Sequence, residues 1–89
     1  METHYTYVLK SIKDNNLYIG YSDNLLNRME EHAKGYVIST KYRRPLVLVY
    51  YEACFNKEAA IKREKYLKTT YGHWYLKNRI SDLHEGFQI

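Results

Sequence analysis

The strongest structural signal in the chain is the run Leu46-Val47-Leu48-Val49-Tyr50-Tyr51, set directly after the only proline, Pro45. Branched and aromatic side chains suit a pleated, half-buried surface, so the run predicts a strand from Leu46 to Ala53. A strand needs partners, and 89 residues leave room for one domain, spanning residues 1–89, in which to find them. Tyr5 to Ser11 has the same β-branched and aromatic character and predicts a second strand. Lys13-Asp14-Asn15-Asn16 is turn chemistry, and Leu17 to Tyr21 then returns as the other arm of an antiparallel hairpin. Alternation places Leu17, Ile19 and Tyr21 on one face of that arm, and Tyr18 with Gly20 on the other.

The remaining segments predict helices. Ser22, Asp23 and Asn24 offer N-cap oxygens for a helix running to about Lys34 and stopped by Gly35, with Leu26, Met29 and Ala33 as its apolar stripe and Leu25 at the edge. Tyr36 to Arg44 is expected to be irregular. Asn56 caps a second helix to about Lys68, with Ala60, Ile61 and Leu67 facing inward; Thr69-Thr70-Tyr71-Gly72 breaks it. A short third helix, from about His73 to Ile80, carries Trp74, Leu76 and Ile80. The expected fold class is α+β: a three-stranded antiparallel sheet flanked by helices, in the order β-β-α-β-α-α.

Charge is uneven along the chain. Lys57, Lys62, Arg63, Lys65, Lys68, Lys77 and Arg79 face only Glu58 and Glu64 in their segment, which carries +5 where the whole chain carries +4. Lys41, Arg43 and Arg44 form a second basic knot before Pro45. Clustered positive charge beside many aromatic rings suits a polyanion, through counterion release and stacking on bases; a solvated helix face is the plainer alternative. The single Cys54 makes no internal disulfide, and the first residues lack the apolar core of an export signal. No apolar run approaches the ~20 residues that span a bilayer. A reducing, cytoplasmic setting without membrane association is expected.

Three groups of side chains are candidates for chemistry. Arg28 and His32, four apart, share one helix face beside the apolar stripe; an exposed pair is the alternative. Glu64 falls within the inward stripe of the second helix, between Ile61 and Leu67. Burying an unpaired carboxylate costs several kcal/mol, so such a group has a cation partner, a metal or a catalytic task. An exposed Glu64–Lys68 pair, worth only ~0.3–0.5 kcal/mol, is the alternative. Tyr7 and Tyr18 lie on the two arms of the hairpin and can approach each other, which is also ordinary packing. There is no P-loop, no Gly-x-Ser-x-Gly, no paired-His zinc motif and no Cys nucleophile motif.

Taken in order, Tyr5-Thr6-Tyr7, then Tyr18-Ile19-Gly20 eleven positions on from Tyr7, then Asn27-Arg28, Arg43-Arg44-Pro45 and Arg63-Glu64-Lys65-Tyr66-Leu67-Lys68 resemble the GIY-YIG nuclease family, and in particular its small stand-alone bacterial members. The likeness runs from about His4 to Ile80. It implies a three-stranded antiparallel sheet with flanking helices, and hydrolysis of phosphodiester bonds in DNA with one divalent metal, Mg²⁺ or alternatively Mn²⁺. It further implies that Glu64 is the metal ligand and Arg28 the phosphate-stabilising cation. Tyr7 would be the general base or water-positioning phenol, and Tyr18 a second group at the scissile phosphate. His32 fits the histidine that some members carry one turn after the arginine, and Asn78 stands nearest to an asparagine that others carry after the Glu helix. The first motif departs from Gly-Ile-Tyr in keeping only its tyrosine. Tyr21 follows Gly20 where some members have a lysine, which shifts weight onto His32.

A phenol, with a reference pKa of about 10, is a poor base at neutral pH, and a nearby cation and imidazole would both help it. Nucleic-acid contacts are expected from Lys41, Arg43, Arg44, Lys62, Arg63, Lys65, Lys68 and Asn78. DNA is the expected partner, with RNA as the alternative substrate. A homodimer or a protein partner would enlarge a small contact area, since sequence-reading interfaces bury roughly 1,000–2,500 Å². The competing function is a nucleic-acid-binding module of the same fold that is non-catalytic or depends on a partner to cut.

Overall fold

The computed structural model describes residues 1–80 and 86–89. The hairpin is formed by β1 (His4–Ser11) and β2 (Leu17–Ser22), paired antiparallel with Tyr7 opposite Gly20 and Leu9 opposite Tyr18. Its turn closes through the Ser11 N–H donating to the Asn16 carbonyl at 3.0 Å and the Asn15 N–H donating to Ser11 at 2.8 Å. Asn15 takes φ +65°, a left-handed conformation that asparagine tolerates better than other side-chain-bearing residues. Helix α1 (Leu25–Ala33) follows, with the Asn24 side chain accepting from the Asn27 N–H at 3.1 Å. It ends where Gly35 N–H donates to the His32 carbonyl and Tyr36 N–H to Glu31, the paired bonds of a Schellman close.

Two elements come next: a single helical turn, α2 (Ile38–Lys41), and the long strand β3 (Leu46–Cys54). Asn56 caps α3 (Lys57–Leu67) through the Ala59 N–H, Thr69 caps α4 (Thr70–Lys77) through the Gly72 N–H, and β4 (Phe87–Gln88) closes the described chain. All pairings are antiparallel and the sheet order is β2-β1-β3-β4.

The α+β class and the antiparallel sheet are as expected, but among the described residues the sheet has four strands rather than three, and the order is β-β-α-α-β-α-α-β. β4 is two residues long, too short for any periodic pattern; it exists because Phe87 and Gln88 find the free edge of β3. The segment expected to be irregular contains α2, whose start has no side-chain cap. The third helix starts three residues earlier than expected. Gly72 does not break it but lies buried within it, where any Cβ would overlap the backbone of Tyr66 and Leu67, so the glycine permits α4 to close against the end of α3.

β1 lies at the centre and both its faces are covered. Tyr7 and Leu9 pack with Met29, Leu46 and Leu48 on the α1 side, joined by Tyr18, Leu25 and Ile89. Val8 packs with Ile19, Leu67 and Leu76 on the α3–α4 side, joined by Leu17, Val49 and Tyr50. Strict alternation along β3 would put Tyr50 on the same face as Leu46 and Leu48. It does not, because Val8 pairs with Tyr50 and Leu9 with Leu48, leaving Val49 as a bulge that re-aims Tyr50 to the opposite face. Two apolar expectations are also corrected. Leu26 and Trp74 are exposed, and the inward line of α1 is Leu25, Met29 and His32.

Candidate active site

The hairpin aims Tyr7 and Tyr18 at the α1 face of the sheet, and α1 aims His32 back at them. Tyr7 lies opposite Gly20, and a Cβ at Gly20 would overlap the phenol's hydroxyl end; the bare glycine makes the space that Tyr7 occupies. The Tyr7 hydroxyl and His32 Nε2 are 2.8 Å apart, and His32 Nδ1 is 2.7 Å from Thr40 Oγ1. Tyr7, His32 and Thr40 are all fully buried. The half-buried Tyr18 ring stands edge-on to His32 at 5.4 Å between centroids and tilted to Tyr7 at 6.4 Å.

Electrostatics hold this group neutral. Burial pushes the Tyr7 phenol up to about 12, opposed by the Arg28 guanidinium beside it and assisted by the charge of Glu64. Burial, and then Arg28, bring His32 down to about 4. Arg28 reaches solvent, with its side chain 35% exposed, and it donates from Nη1 to Glu31 at 3.2 Å. Glu64 projects from α3 with its side chain 20% exposed, and the Lys68 ammonium lies 3.8 Å from its carboxylate. The structure therefore brings Tyr7, Tyr18 and His32 into contact, with Arg28 beside Tyr7 and the charge of Glu64 acting on it. Among the described residues no three His, Cys, Asp or Glu side chains converge as a ready-made metal cage.

The basic residues divide into two kinds. Lys62, Lys65 and Lys68 are exposed on α3, on either side of Glu64 in sequence. Lys41 is exposed, with its ammonium 5.4 Å from the centre of the Tyr42 ring. The others are engaged within the chain. Arg43 binds Asp14 at 2.8 Å and the Asn16 carbonyl at 3.2 Å, tying β3's approach to the hairpin turn; the same interaction holds the Asp14 carboxyl down at about 2. Arg44 donates to the Lys41 and Ala33 carbonyls. Arg63 grips Glu52 at 2.8 Å, with Tyr75 4.3 Å and Tyr66 5.1 Å from its guanidinium carbon. Asn78 is the exposed C-cap of α4.

Thr40 gave no signal in the sequence, because it lies eight residues beyond His32 in a turn that had no readable periodicity. Glu31 was accessible to spacing arguments, since i,i+3 neighbours on a helix face meet.

The chain belongs to a nuclease fold family: residues 3–80 match the GIY-YIG catalytic domain. The chain is 46% identical over 70 residues to the UPF0213 protein SH2523 of Staphylococcus haemolyticus, an alignment covering 78% of this chain and 84% of that protein. It is 41% identical over 70 residues to a UPF0213 protein of Staphylococcus aureus, with the same coverage. Among solved structures, it is similar to the solution NMR structure of the UPF0213 protein BH0048 from Bacillus halodurans, at 32% identity and a TM-score of 0.54, covering 85% of this chain and 83% of that one. Among the described residues, no helix is long and apolar enough to cross a membrane.

Proposed function

We propose that the protein is an endonuclease that hydrolyses phosphodiester bonds in DNA, using Tyr7, Tyr18, Arg28, His32 and Glu64 and one divalent cation. The observation that carries this is the 2.8 Å approach of the Tyr7 hydroxyl to His32 Nε2, at a buried point on which the charges of both Arg28 and Glu64 act. Arg28 binds the scissile phosphate in place of Glu31; a planar guanidinium holds two oxygens at once. The anion on Arg28 then offsets the second of the causes that depress His32, so substrate raises the imidazole's proton affinity. The attacking water passes a proton to the Tyr7 oxygen as Tyr7 passes its own to His32 Nε2. The new oxygen–phosphorus bond forms while the bond to the leaving oxygen breaks, and that oxygen is protonated from solvent. Tyr18, beside Tyr7 and His32, bonds a phosphate oxygen.

Glu64 fits a divalent cation. It is a partly exposed carboxylate whose ion-pair partner among the described residues is the exposed Lys68 at 3.8 Å, and Mg²⁺ commonly binds through one or two carboxylates with waters and phosphate oxygens completing its shell. When bound there, Mg²⁺ or Mn²⁺ supplies charge neutralisation at the reacting phosphate. Lys62, Lys65 and Lys68 on the outer side of α3 hold the flanking DNA backbone.

The test is incubation of plasmid, branched DNA and RNA with the protein and Mg²⁺ or Mn²⁺, alongside Glu64→Gln. This substitution keeps volume and loses the anionic ligand, so cleavage should vanish while folding and DNA affinity persist. Undiminished cleavage by the Gln form would remove Glu64 from the metal site. If neither form cuts any substrate and neither melts differently with metal, the protein is a DNA-binding module of this fold.

A further inference from the structure

His32 is neutral and has one N–H to share between two partners, the Tyr7 hydroxyl at Nε2 and the Thr40 hydroxyl at Nδ1. The two tautomers are chemically different machines. With the proton on Nδ1, Nε2 is a lone pair that can receive the Tyr7 proton; with the proton on Nε2, the imidazole can only donate to Tyr7 and offers it no base. All three side chains are fully buried, and in the protein alone the two hydroxyls are the ring's hydrogen-bond partners among the described residues. Of the two hydroxyls the phenol is the more acidic and the better donor, and the aliphatic Thr40 hydroxyl the better acceptor, which favours the imidazole proton at Nδ1.

We propose that Thr40 is a positioning residue: its hydroxyl oxygen accepts the Nδ1 proton of His32 and thereby leaves Nε2 free to take the proton of Tyr7. This deepens the nuclease reading and rests on it for its catalytic consequence, though the tautomer itself is a property of the folded chain. Thr40 is delivered by α2. The buried Val37 starts that turn, and the Thr40 N–H donates to the Val37 carbonyl at 3.1 Å. The Schellman close at Gly35 reverses the chain, so that residue 40 returns against residue 32. Tyr7 from β1, Tyr18 from β2, and Arg28 and Glu31 from α1 are the other titratable groups around the imidazole. None of these is a partner for Nδ1 among the described residues.

A purely structural threonine would also lower stability when removed, so the readout must be the imidazole itself. Nitrogen NMR of ¹⁵N-histidine-labelled full-length protein, without metal or DNA at neutral pH, distinguishes protonated from unprotonated ring nitrogens directly. The parent protein should show His32 as the Nδ1–H form. Thr40→Ser, which keeps the hydroxyl, should show the same form and the parent's cleavage rate. Thr40→Val, close in shape but without the oxygen, should lose the single Nδ1–H signature, with kcat lowered about tenfold, the upper end of one hydrogen bond's net worth, and KM unchanged. An Nε2–H imidazole in the parent overturns the proposal, as does an unaltered Nδ1–H form in Thr40→Val. Should the Val variant fail to fold, the parent and Ser spectra still decide. A parent that shows the Nδ1–H form but cuts nothing refutes the nuclease reading and leaves the tautomer assignment standing.

Discussion

At the scale of single residues, the burial of His32 makes stability depend on pH. Its ordinary value is 6.5 and burial lowers it to about 4, so between these values the unfolded chain takes up a proton that the folded one refuses. The contribution of His32 is fully present above pH 6.5 and is lost as pH falls toward 4. A shift of that size corresponds to roughly 3 kcal/mol. Chemical denaturation across this range should show the decline in the parent and a much weaker one in His32→Gln; equal slopes would mean that His32 is not buried and neutral. Gly20 acts at the same scale. Gly20→Ala would drive a methyl into the hydroxyl end of Tyr7, and overpacking of a filled site costs about 1–3 kcal/mol. The expected result is a folded protein with lowered melting temperature and cleavage reduced far more than stability explains. Cleavage at the parent rate would show that the position of Tyr7 is not critical.

At the scale of elements, the basic residues act according to what already holds them. Arg43, Arg44 and Arg63 are occupied in joining the turn, the end of α1, and the α3–β3 packing. Lys62 and Lys65 on α3 and Lys68 at its C-cap are exposed and can meet phosphate, Lys68 by leaving its long ion pair with Glu64. Replacing Lys62, Lys65 and Lys68 with alanine should therefore reduce the slope of log affinity against log salt by about 0.9 for each phosphate that is no longer neutralised. Arg43→Ala should leave that slope unchanged and lower the melting temperature, because it frees the hairpin turn. Salt-titrated binding of a duplex to the two variants checks both; an unaltered slope in the lysine variant would move the DNA surface elsewhere.

Across the whole molecule, the central strand carries two separate duties on its two faces. Tyr7 and Leu9 face α1, which carries Arg28 and His32, whereas Val8 faces Leu67 and Leu76, with Glu64 reaching the site from α3. A cavity at Leu76, on α4, should therefore cost stability while leaving Tyr7, Arg28 and His32 in place. Leu76→Ala is expected to destabilise by about 2–5 kcal/mol, with cleavage at low temperature near the parent rate. Denaturant melts and rate measurements well below the melting point separate the two effects. A collapse of kcat in folded protein would show that the faces are coupled through β1.

The local determinants were legible in the amino-acid sequence. The hairpin and its turn, the caps at Asn24 and Asn56, and the long strand after Pro45 act through short-range sterics and hydrogen bonds, whereas Tyr7, Tyr18, Arg28, His32 and Glu64 stand out together only through the family resemblance. Tertiary structure decided the rest. The bulge at Val49 arises from how β3 meets β1, and β4 only from an edge offered by a distant strand. Gly72 reads as a helix breaker by propensity, yet it is the residue that allows two helices to touch. Arg43 and Arg44 look like free cations until the chain folds and supplies carbonyls and a carboxylate. Thr40 meets His32 for the same reason: a buried polar group must find its partner in space, and spacing along the chain records nothing of that meeting.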